Sequence, residues 1–167
     1  MTISFDRVAE VYDRTRGLPV PVMKSLVEAL KRELSDCRLV LDFGVGTGRF
    51  AKPLEDVGFE VVGVDVSRKM IAKAKEKGVE NLFLGDVRFL PFREDCFDAA
   101  VSVHLLHLIG EWEKALKELC RVTRGVMVSL SYGRRDPMRE VYSSMLKERG
   151  YECSRSGKSE QDLMVLV

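Results

Sequence analysis

The sequence predicts an α/β fold built on a mostly parallel sheet, and three observations support that prediction. Short apolar runs alternate with amphipathic stretches from residue 38 to residue 131. A glycine-rich turn, 44–48, follows the first run, and the second run ends at an acid, Asp65. Alternating strands and helices favour parallel strands joined by right-handed crossovers. A chain of 167 residues has room for one domain with one substantial core.

Two helices are expected before the first strand. Residues 5–14 and 20–34 are helix-like and are separated by a Gly-Leu-Pro break at 17–19. In the second helix, apolar residues recur every four positions and form one stripe: Val22, Leu26, Leu30 and Leu34. We therefore divide the single domain, 1–167, into an N-terminal helical segment, 1–35, and an α/β core, 36–167.

The core is expected to continue as alternating strands and helices. Strands are predicted at 38–43, 59–65, 81–85, 96–103 and 125–131, with helices at 47–57, 67–77 and 111–122. Ser67 suits an N-cap, and Gly78 suits the end of the same helix. A further helix is predicted from Asp136 to Gly150, before two closing strands at Tyr151–Ser154 and Leu163–Val167.

Composition limits the classes of function. Residues are 46% hydrophobic and 32% charged, and the net charge of +1 argues against a nucleic acid partner. No apolar run approaches the roughly 20 residues that membrane insertion requires, and the N-terminus lacks a signal-peptide profile, so a cytoplasmic location is expected. The four cysteines and two histidines do not have the spacing of a metal site. Cys96 and Cys120 are expected beside the core, where a free thiol behaves as a small hydrophobe.

The glycine turn and Asp65 together predict a site for a nucleoside-containing cofactor. A strand, a tight turn, a helix and a second strand that ends in a carboxylate bind the adenosine half of such ligands. Glycines remove Cβ atoms that would hold the backbone away from a ligand, and a helix starting near Thr47 would direct N–H groups at an anion. The alternative is a glycine-rich turn that binds nothing.

The position of the third glycine distinguishes between cofactors. In the dinucleotide pattern G-x-G-x-x-G, the last glycine lets the helix pack closely on the strand. Arg49 occupies that position here, and the third glycine is Gly48. A G-x-G-x-G turn after Leu41 and Asp42 resembles the first motif of the class I S-adenosylmethionine-dependent methyltransferases.

Other segments carry the same resemblance, which is closest to the small-molecule group that includes the menaquinone and ubiquinone biosynthesis enzymes. The matching segments are FDRVAEVYD (5–13), LDFGVGTG (41–48), VVGVDVS (61–67), GDVRFLPFREDCFDAAVS (85–102) and HLLHLI (104–109). The resemblance implies a three-layer Rossmann-like sandwich with a seven-stranded sheet of order 3-2-1-4-5-7-6, in which the last strand is antiparallel. Its cofactor would be S-adenosyl-L-methionine, and its activity would be methyl transfer to a small-molecule acceptor.

The resemblance also implies roles for individual residues around the adenosine. Asp65 would accept hydrogen bonds from the ribose hydroxyls, and Asp86 would accept one from the adenine amino group. The Val87 backbone would serve the adenine ring nitrogen, and Val66 and Met70 would pack on the adenine faces. For Met70, a place in the core is an equal alternative.

A second set of residues is expected at the methionine end. Gly44, Gly46 and Gly48 would cradle the methionine carboxylate. Asp42 would orient the turn or meet the methionine amino group, or else it caps the end of its strand. Val103 and His104 would lie beside the methyl group, and His104 is the candidate catalytic base, with His107 interpreted as structural.

The N-terminal segment is expected to fold over the cofactor as a lid. Tyr12 would meet the methionine moiety, and Arg16 would pair with its carboxylate or with an anionic substrate; a solvated helix is the alternative. Tyr132, Arg134 and Arg135 follow the fifth strand on the ligand side, where a plain surface loop is the alternative. That loop is short, so the acceptor pocket is expected to be shallow, closed by residues 1–35, or completed by a second copy or a partner chain.

Two other functions compete with a methyltransferase. An NAD-dependent oxidoreductase is disfavoured by Arg49 and by the closing strand pair. A non-catalytic cofactor-binding subunit or sensor remains an alternative, because the loop after the fifth strand is too short to cover an acceptor by itself. The sequence also lacks an N/D-P-P-Y/F tetrapeptide after strand four, which disfavours methylation of amino or amide nitrogen in nucleic acid or glutamine.

Overall fold

The structure, a computed structural model, describes residues 5–132, 153–156 and 161–166. Its strands form one seven-stranded sheet of order β3-β2-β1-β4-β5-β7-β6, in which β7 runs antiparallel to β5 and β6. The strands are β1 (Leu39–Phe43), β2 (Glu60–Asp65), β3 (Asn81–Leu84), β4 (Phe97–Val103), β5 (Thr123–Tyr132), β6 (Cys153–Ser156) and β7 (Gln161–Leu166). The predicted α/β fold and strand order are confirmed.

Five α-helices are described, together with a short 3-10 turn at Leu106–Leu108. The helices are α1 (Tyr12–Arg16), α2 (Val20–Glu33), α3 (Ala51–Asp56), α4 (Arg68–Glu76) and α5 (Trp112–Val122). The helix predicted from Asp136 to Gly150, and the loop before it, lie outside the described residues. Within the described part of the chain, no helix combines the length and apolar character needed to cross a membrane.

Two helices differ from the prediction for identifiable reasons. The helix after the glycine turn begins at Ala51 rather than near Thr47, because Gly48 has a φ of +72°, which a right-handed helix does not tolerate. The first helix begins at Tyr12 rather than at residue 5. Before it, the backbone N–H groups of Val8 and Val11 donate to carbonyl oxygens three positions earlier, as in single turns rather than in an α-helix. The Asp6 carboxylate accepts a hydrogen bond from Ser67, the N-cap of α4.

The core lies on both faces of the sheet. Neighbouring residues of one strand join different clusters, as Val40 and Leu41 do, because side chains alternate across a strand. α5 covers one face, and α2, α3 and α4 cover the other. The predicted stripe of α2 is buried at Leu26, Leu30 and Leu34, and Cys96 and Cys120 pack against the cluster under α5.

The parallel strands place their carboxyl ends at one edge of the sheet. β1, β2 and β4 end there at Phe43, Asp65 and Val103, and the glycine turn follows β1 directly. Ligands of open α/β sheets bind outside this edge. The fold therefore brings the predicted site residues to one side of the molecule.

Candidate functional site

The glycine turn lies over the carboxyl end of β2. The backbone N–H groups of Gly44 and Val45 both donate to the Val64 carbonyl oxygen, at 3.0 and 2.9 Å. Gly44, Gly46 and Gly48 all have positive φ, a conformation that glycine adopts without a steric cost. Hydrogen bonds to β2 thus hold the turn in a shape that depends on its glycines.

Two of these glycines have different surroundings. Among the described residues, a Cβ atom added at Gly46 would meet nothing within 4 Å. A Cβ atom at Gly48 would lie 2.8 Å from Val79 Cγ2 and 3.0 Å from Ala74 Cβ. Gly48 therefore lets α4 pack against the turn, whereas Gly46 leaves open space in front of it.

Asp65 ends β2, and its carboxylate anchors the turn. One oxygen accepts the Gly46 N–H at 2.9 Å, and the other accepts the Ser67 N–H at 2.8 Å. Burial raises the pKa of Asp65, although three backbone N–H groups act in the opposite direction. The carboxylate therefore has a fixed orientation beside the open space at Gly46.

Asp42 is almost fully buried and accepts a hydrogen bond from the backbone N–H of Ala51. Burial, followed by repulsion from the Asp65 carboxylate, raises the pKa of Asp42 to about 7. The side chain thus caps the start of α3, a contact that neither alternative from the sequence named. Two neighbouring buried carboxyl groups also favour a ligand that carries positive charge.

The residues predicted around the adenine are held in different ways. The Asp86 carboxylate accepts hydrogen bonds from the backbone N–H and the Nε of Arg88, both at 3.0 Å. Met70 and Val87 have side chains that are 2% exposed. Val66 is half-buried at the end of β2. Contact of these four residues with adenine stays a prediction. Of their side chains, only those of Val66 and Asp86 are partly exposed and could reach a ligand without a rearrangement.

The N-terminal segment is held against α4 by acidic side chains. Asp6 Oδ1 accepts the Ser67 hydroxyl at 2.5 Å and the Lys69 backbone N–H at 3.1 Å. Ser67 itself caps α4, as predicted, by accepting the Met70 N–H at 3.1 Å. The start of the segment is thereby fixed beside the end of β2.

Two further acids continue this contact along α4. Lys73 Nζ lies 2.9 Å from Glu10, and Lys77 forms an ion pair with Asp13. Asp13 also accepts the hydroxyl of buried Thr47, at 2.6 Å. Although burial acts to raise it, the bonds from Lys77 and Thr47 hold the pKa of Asp13 below its usual range. Asp13 therefore joins the segment to both α4 and the glycine turn.

We expect Asp13→Ala to loosen the N-terminal segment, because it removes a charged pair and a hydrogen bond to a buried hydroxyl. The lost bonds are worth about 1–2 kcal/mol, so hydrogen exchange of residues 6–16 should accelerate roughly 5–30-fold. Glu10→Ala is the control, since the Glu10 side chain is 71% exposed and its ion pair with Lys73 contributes little. Equal exchange in the two variants would contradict this role of Asp13.

A cavity of about 320 Å³ adjoins the end of β4. It is lined by three residues that the sequence predicted for the site: Tyr12, Arg16 and His104. Other described residues complete the lining: Phe5, Arg49, His107 and Leu108. Val103 precedes His104 and packs partly against the core. The structure thus brings both ends of the segment 5–16 together with the residues that follow β4.

His104 has an unusual backbone conformation and a perturbed pKa. Its φ is +51°, which is uncommon outside glycine, and its N–H donates to the Leu130 carbonyl oxygen at 3.0 Å. Burial, then the charges of His107, Arg49 and Arg16, lowers the pKa of His104 to about 4. The imidazole is therefore neutral at pH 7.

Sequence reasoning missed Asp6, Glu10 and Arg49 as parts of the site. Two sets of charges recur at helical spacing: acids at 6, 10 and 13, and lysines at 69, 73 and 77. Their opposite charge is the feature of the sequence that could have predicted this contact. For Arg49, the signal is its place directly after the turn. The side chains of Tyr132, Arg134 and Arg135 lie outside the described residues, so their predicted role stays a prediction.

Comparison with known proteins identifies the family. The model of a methyltransferase domain family matches residues 41–126. A demethylmenaquinone methyltransferase of Renibacterium salmoninarum is 32% identical over 85% of this chain and 63% of its own length. An uncharacterised protein of Methanocaldococcus jannaschii is 36% identical over 72% of this chain and 56% of its own. The chain thus spans about three fifths of the length of these relatives.

Solved structures share the fold. An S-adenosylmethionine-dependent methyltransferase from Thermotoga maritima aligns with a TM-score of 0.71 and 24% identity, over 97% of this chain and 96% of its own. The matched family segment contains the glycine turn, Asp65 and Asp86, which the structure places at one edge of the sheet. The chain therefore belongs to the methyltransferase domain family, within the class I S-adenosylmethionine-dependent methyltransferases.

Proposed function

We propose that this chain transfers a methyl group from S-adenosylmethionine to a small-molecule acceptor. The observation that carries the proposal is the open space at Gly46 beside the fixed Asp65 carboxylate. Small-molecule acceptors are supported by the relatives, which include demethylmenaquinone and malonyl-[acyl-carrier protein] methyltransferases.

The residues present fit this cofactor. S-adenosylmethionine, when bound, supplies a methyl group that its sulfonium already activates, so the protein has mainly to align and desolvate the reactants. The buried carboxyl groups of Asp42 and Asp65 suit a ligand with cationic sulfonium and ammonium groups. Asp65 would hold the ribose, Gly44 and Gly46 would receive the methionine end, and Tyr12 would cover it.

His104 would face the acceptor, because it follows β4 and lines the adjoining cavity. Its lowered pKa keeps the imidazole neutral at physiological pH, so it is able to accept a hydrogen bond from an acceptor hydroxyl. A catalytic role for His104 is part of this proposal. The same geometry also suits a residue that only positions the acceptor.

An NAD-dependent oxidoreductase has less support in the structure. Arg49 stands where a dinucleotide fold has its third glycine, and its guanidinium donates to the Arg16 carbonyl and lies 5.4 Å from the centre of the Phe50 ring. That arrangement serves the N-terminal segment rather than a pyrophosphate. A non-catalytic subunit would bind the cofactor in the same way, and only turnover distinguishes it from an enzyme.

The decisive test is calorimetry with S-adenosylhomocysteine and NADH. We expect the first to bind and the second not to bind. Asp65→Ala should weaken S-adenosylhomocysteine binding by about 1–3 kcal/mol, or roughly 5–150-fold, through loss of charge-assisted hydrogen bonds. Asp56→Ala is the control, because Asp56 pairs with Lys52 on the outer side of α3. Unchanged affinity in Asp65→Ala would refute the ribose assignment.

Two expectations from the sequence remain predictions. A homodimer or a partner chain that completes the acceptor pocket is tested by size-exclusion chromatography with light scattering. The cytoplasmic location is tested by fractionation of the source cells. Methyl transfer to a panel of metabolites, with and without candidate partner proteins, separates an enzyme from a cofactor-binding subunit.

A further inference from the structure

We propose that the acceptor is a small aromatic molecule that carries an anionic group, and that Arg16 and Arg49 bind this anion in the cavity beside His104. This inference rests on the proposed function and extends it to the class of acceptor. Three observations support the inference: the position of the cavity, the positive charge of its walls, and the planar aromatic and guanidinium groups that form them.

The cavity adjoins the cofactor cradle without being part of it. None of the residues of the glycine turn, 44–48, lines it, and neither does Asp65. His104, which follows the last residue of β4, does line it. The cavity therefore lies on the side of the site where an acceptor would approach the methyl group, and its volume is at the lower end of those typical for small-molecule pockets.

The described walls of the cavity contain two arginines and no carboxylate, and Asp13, the acid whose charge interacts with Arg49, lies outside the lining. Arg16 and Arg49 both line it, and the charges of both act on the imidazole of His104 in the same wall. The nearby carboxylate of Asp13 is already bound by Lys77 and Thr47. A partly enclosed space with two permanent cations favours an anionic ligand.

Arg49 also has an unused hydrogen-bond donor. One terminal nitrogen donates to the Arg16 carbonyl oxygen, but the Nε is buried and has no partner among the described residues. Buried donors are almost always satisfied in native proteins, so a lone one indicates a missing acceptor atom. A carboxylate is suited to this role, because its two oxygens match the geometry of a guanidinium group.

Rings form the remaining walls. Phe5 and Tyr12 meet edge to face, with 6.0 Å between ring centres, and the Arg49 guanidinium carbon lies 5.9 Å from the centre of the Tyr12 ring. The rings of His104 and His107 are 6.5 Å apart. Aromatic and guanidinium surfaces stack favourably on a planar ligand, so an aromatic acceptor fits better than an aliphatic one.

The anion has two candidate sources, the acceptor and the methionine carboxylate of the cofactor. Calorimetry with two cofactor fragments separates them. S-adenosylhomocysteine has the carboxylate, whereas 5′-methylthioadenosine lacks the whole amino-acid group. If the arginines bind the acceptor, Arg16→Gln, which keeps the Arg16 carbonyl oxygen that Arg49 binds, will leave the affinities for both fragments within about threefold of wild type. Arg49→Gln also loosens the N-terminal segment, so it is compared with wild type only in its preference among acceptor probes.

The acceptor arm uses matched probes on the protein saturated with S-adenosylhomocysteine. Hydroxybenzoates, the corresponding hydroxybenzamides and cyclohexanecarboxylate differ in charge or in aromaticity at similar size. We expect wild type to bind at least one hydroxybenzoate tenfold or more tightly than its amide and its cyclohexane counterpart. Each arginine variant should reduce the preference over the amide at least fivefold, whereas Arg14→Gln, an exposed neighbour outside the cavity lining, should retain it.

Each other outcome overturns the proposal. An absent preference for the carboxylates would exclude an anionic acceptor of this class. A loss of S-adenosylhomocysteine affinity in Arg16→Gln, with 5′-methylthioadenosine unaffected, would assign the cation to the cofactor. Failure of the proposed function is a separate result, because wild type would then bind no S-adenosylhomocysteine at all.

Discussion

Gly46→Ala is expected to abolish cofactor binding while leaving the protein folded. The φ of Gly46 is +54°, so alanine costs about 1–2 kcal/mol of conformational strain there. No described atom lies within 4 Å of the new Cβ, so no clash adds to that cost. The methyl group would instead occupy the space in front of the turn, and we expect a loss of S-adenosylhomocysteine affinity of at least 100-fold.

Gly48→Ala is the matched variant, with the opposite expected result. Its φ of +72° carries similar strain, but its Cβ would press on Val79 and on the Ala74 backbone, whose Cα is 3.2 Å away. Overpacking adds about 1–3 kcal/mol to the strain. We expect Tm to fall by roughly 4–20 °C in Gly48→Ala and by roughly 2–8 °C in Gly46→Ala.

Thermal unfolding and calorimetry at 15 °C, where both variants are folded, measure the two effects. The folded Gly48→Ala protein should keep most of its affinity, because its Cβ points at α4 rather than at the open space. Equal loss of affinity in the two variants would show that the turn acts as one unit. A normal affinity in Gly46→Ala would place the cofactor elsewhere.

The sequence was sufficient to predict the fold and the cofactor edge. The glycine turn, Asp65 and Asp86 are close in sequence to the strands that position them, so local pattern locates them. The strand order came from the family resemblance, since no local signal tells β4 to pair with β1. Strand bounds agree within two residues, because the central strands are buried on both faces and form short continuous apolar runs.

Contacts between distant segments were not predictable in the same way. The helix after the turn starts late because of the backbone at Gly48, and a Cβ atom there would press on Ala74 and Val79, which come from a later part of the chain. Asp6 and Glu10 appear as ordinary surface acids until α4 is placed beside them. The charge of the cavity likewise depends on Arg16 and Arg49, 33 positions apart in the sequence, meeting at one point.

Asp42→Asn is expected to stabilise the protein without ligand above neutral pH. The carboxyl of Asp42 has a pKa of about 7 in the folded protein, against 3.8 as the ordinary value. Between these values the folded state keeps a proton that the unfolded state has lost, so the contribution of Asp42 to stability falls as pH rises from about 4 to 7. Asparagine removes this buried charge and keeps an oxygen for the Ala51 N–H.

The expected gain at pH 8 is about 1–3 kcal/mol, which corresponds to a rise in Tm of roughly 2–12 °C. This gain is smaller than the free energy that corresponds to the whole rise in the pKa of Asp42, because the asparagine amide brings N–H groups that also need hydrogen-bond partners. Near pH 4 the two proteins should unfold at similar temperatures. A gain that is constant from pH 4 to pH 8 would contradict the raised pKa of Asp42.

The same substitution is expected to weaken cofactor binding, if Asp42 meets the methionine amino group. An ammonium group beside Asp42 would lower its pKa, so S-adenosylhomocysteine should displace a proton from wild type near pH 6.5. Calorimetry in buffers of different ionisation enthalpy detects this release. 5′-Methylthioadenosine lacks the amino group and should release none, and Asp42→Asn should bind it as wild type does. Equal proton release by both ligands would rule out the contact and leave Asp42 as the cap of α3.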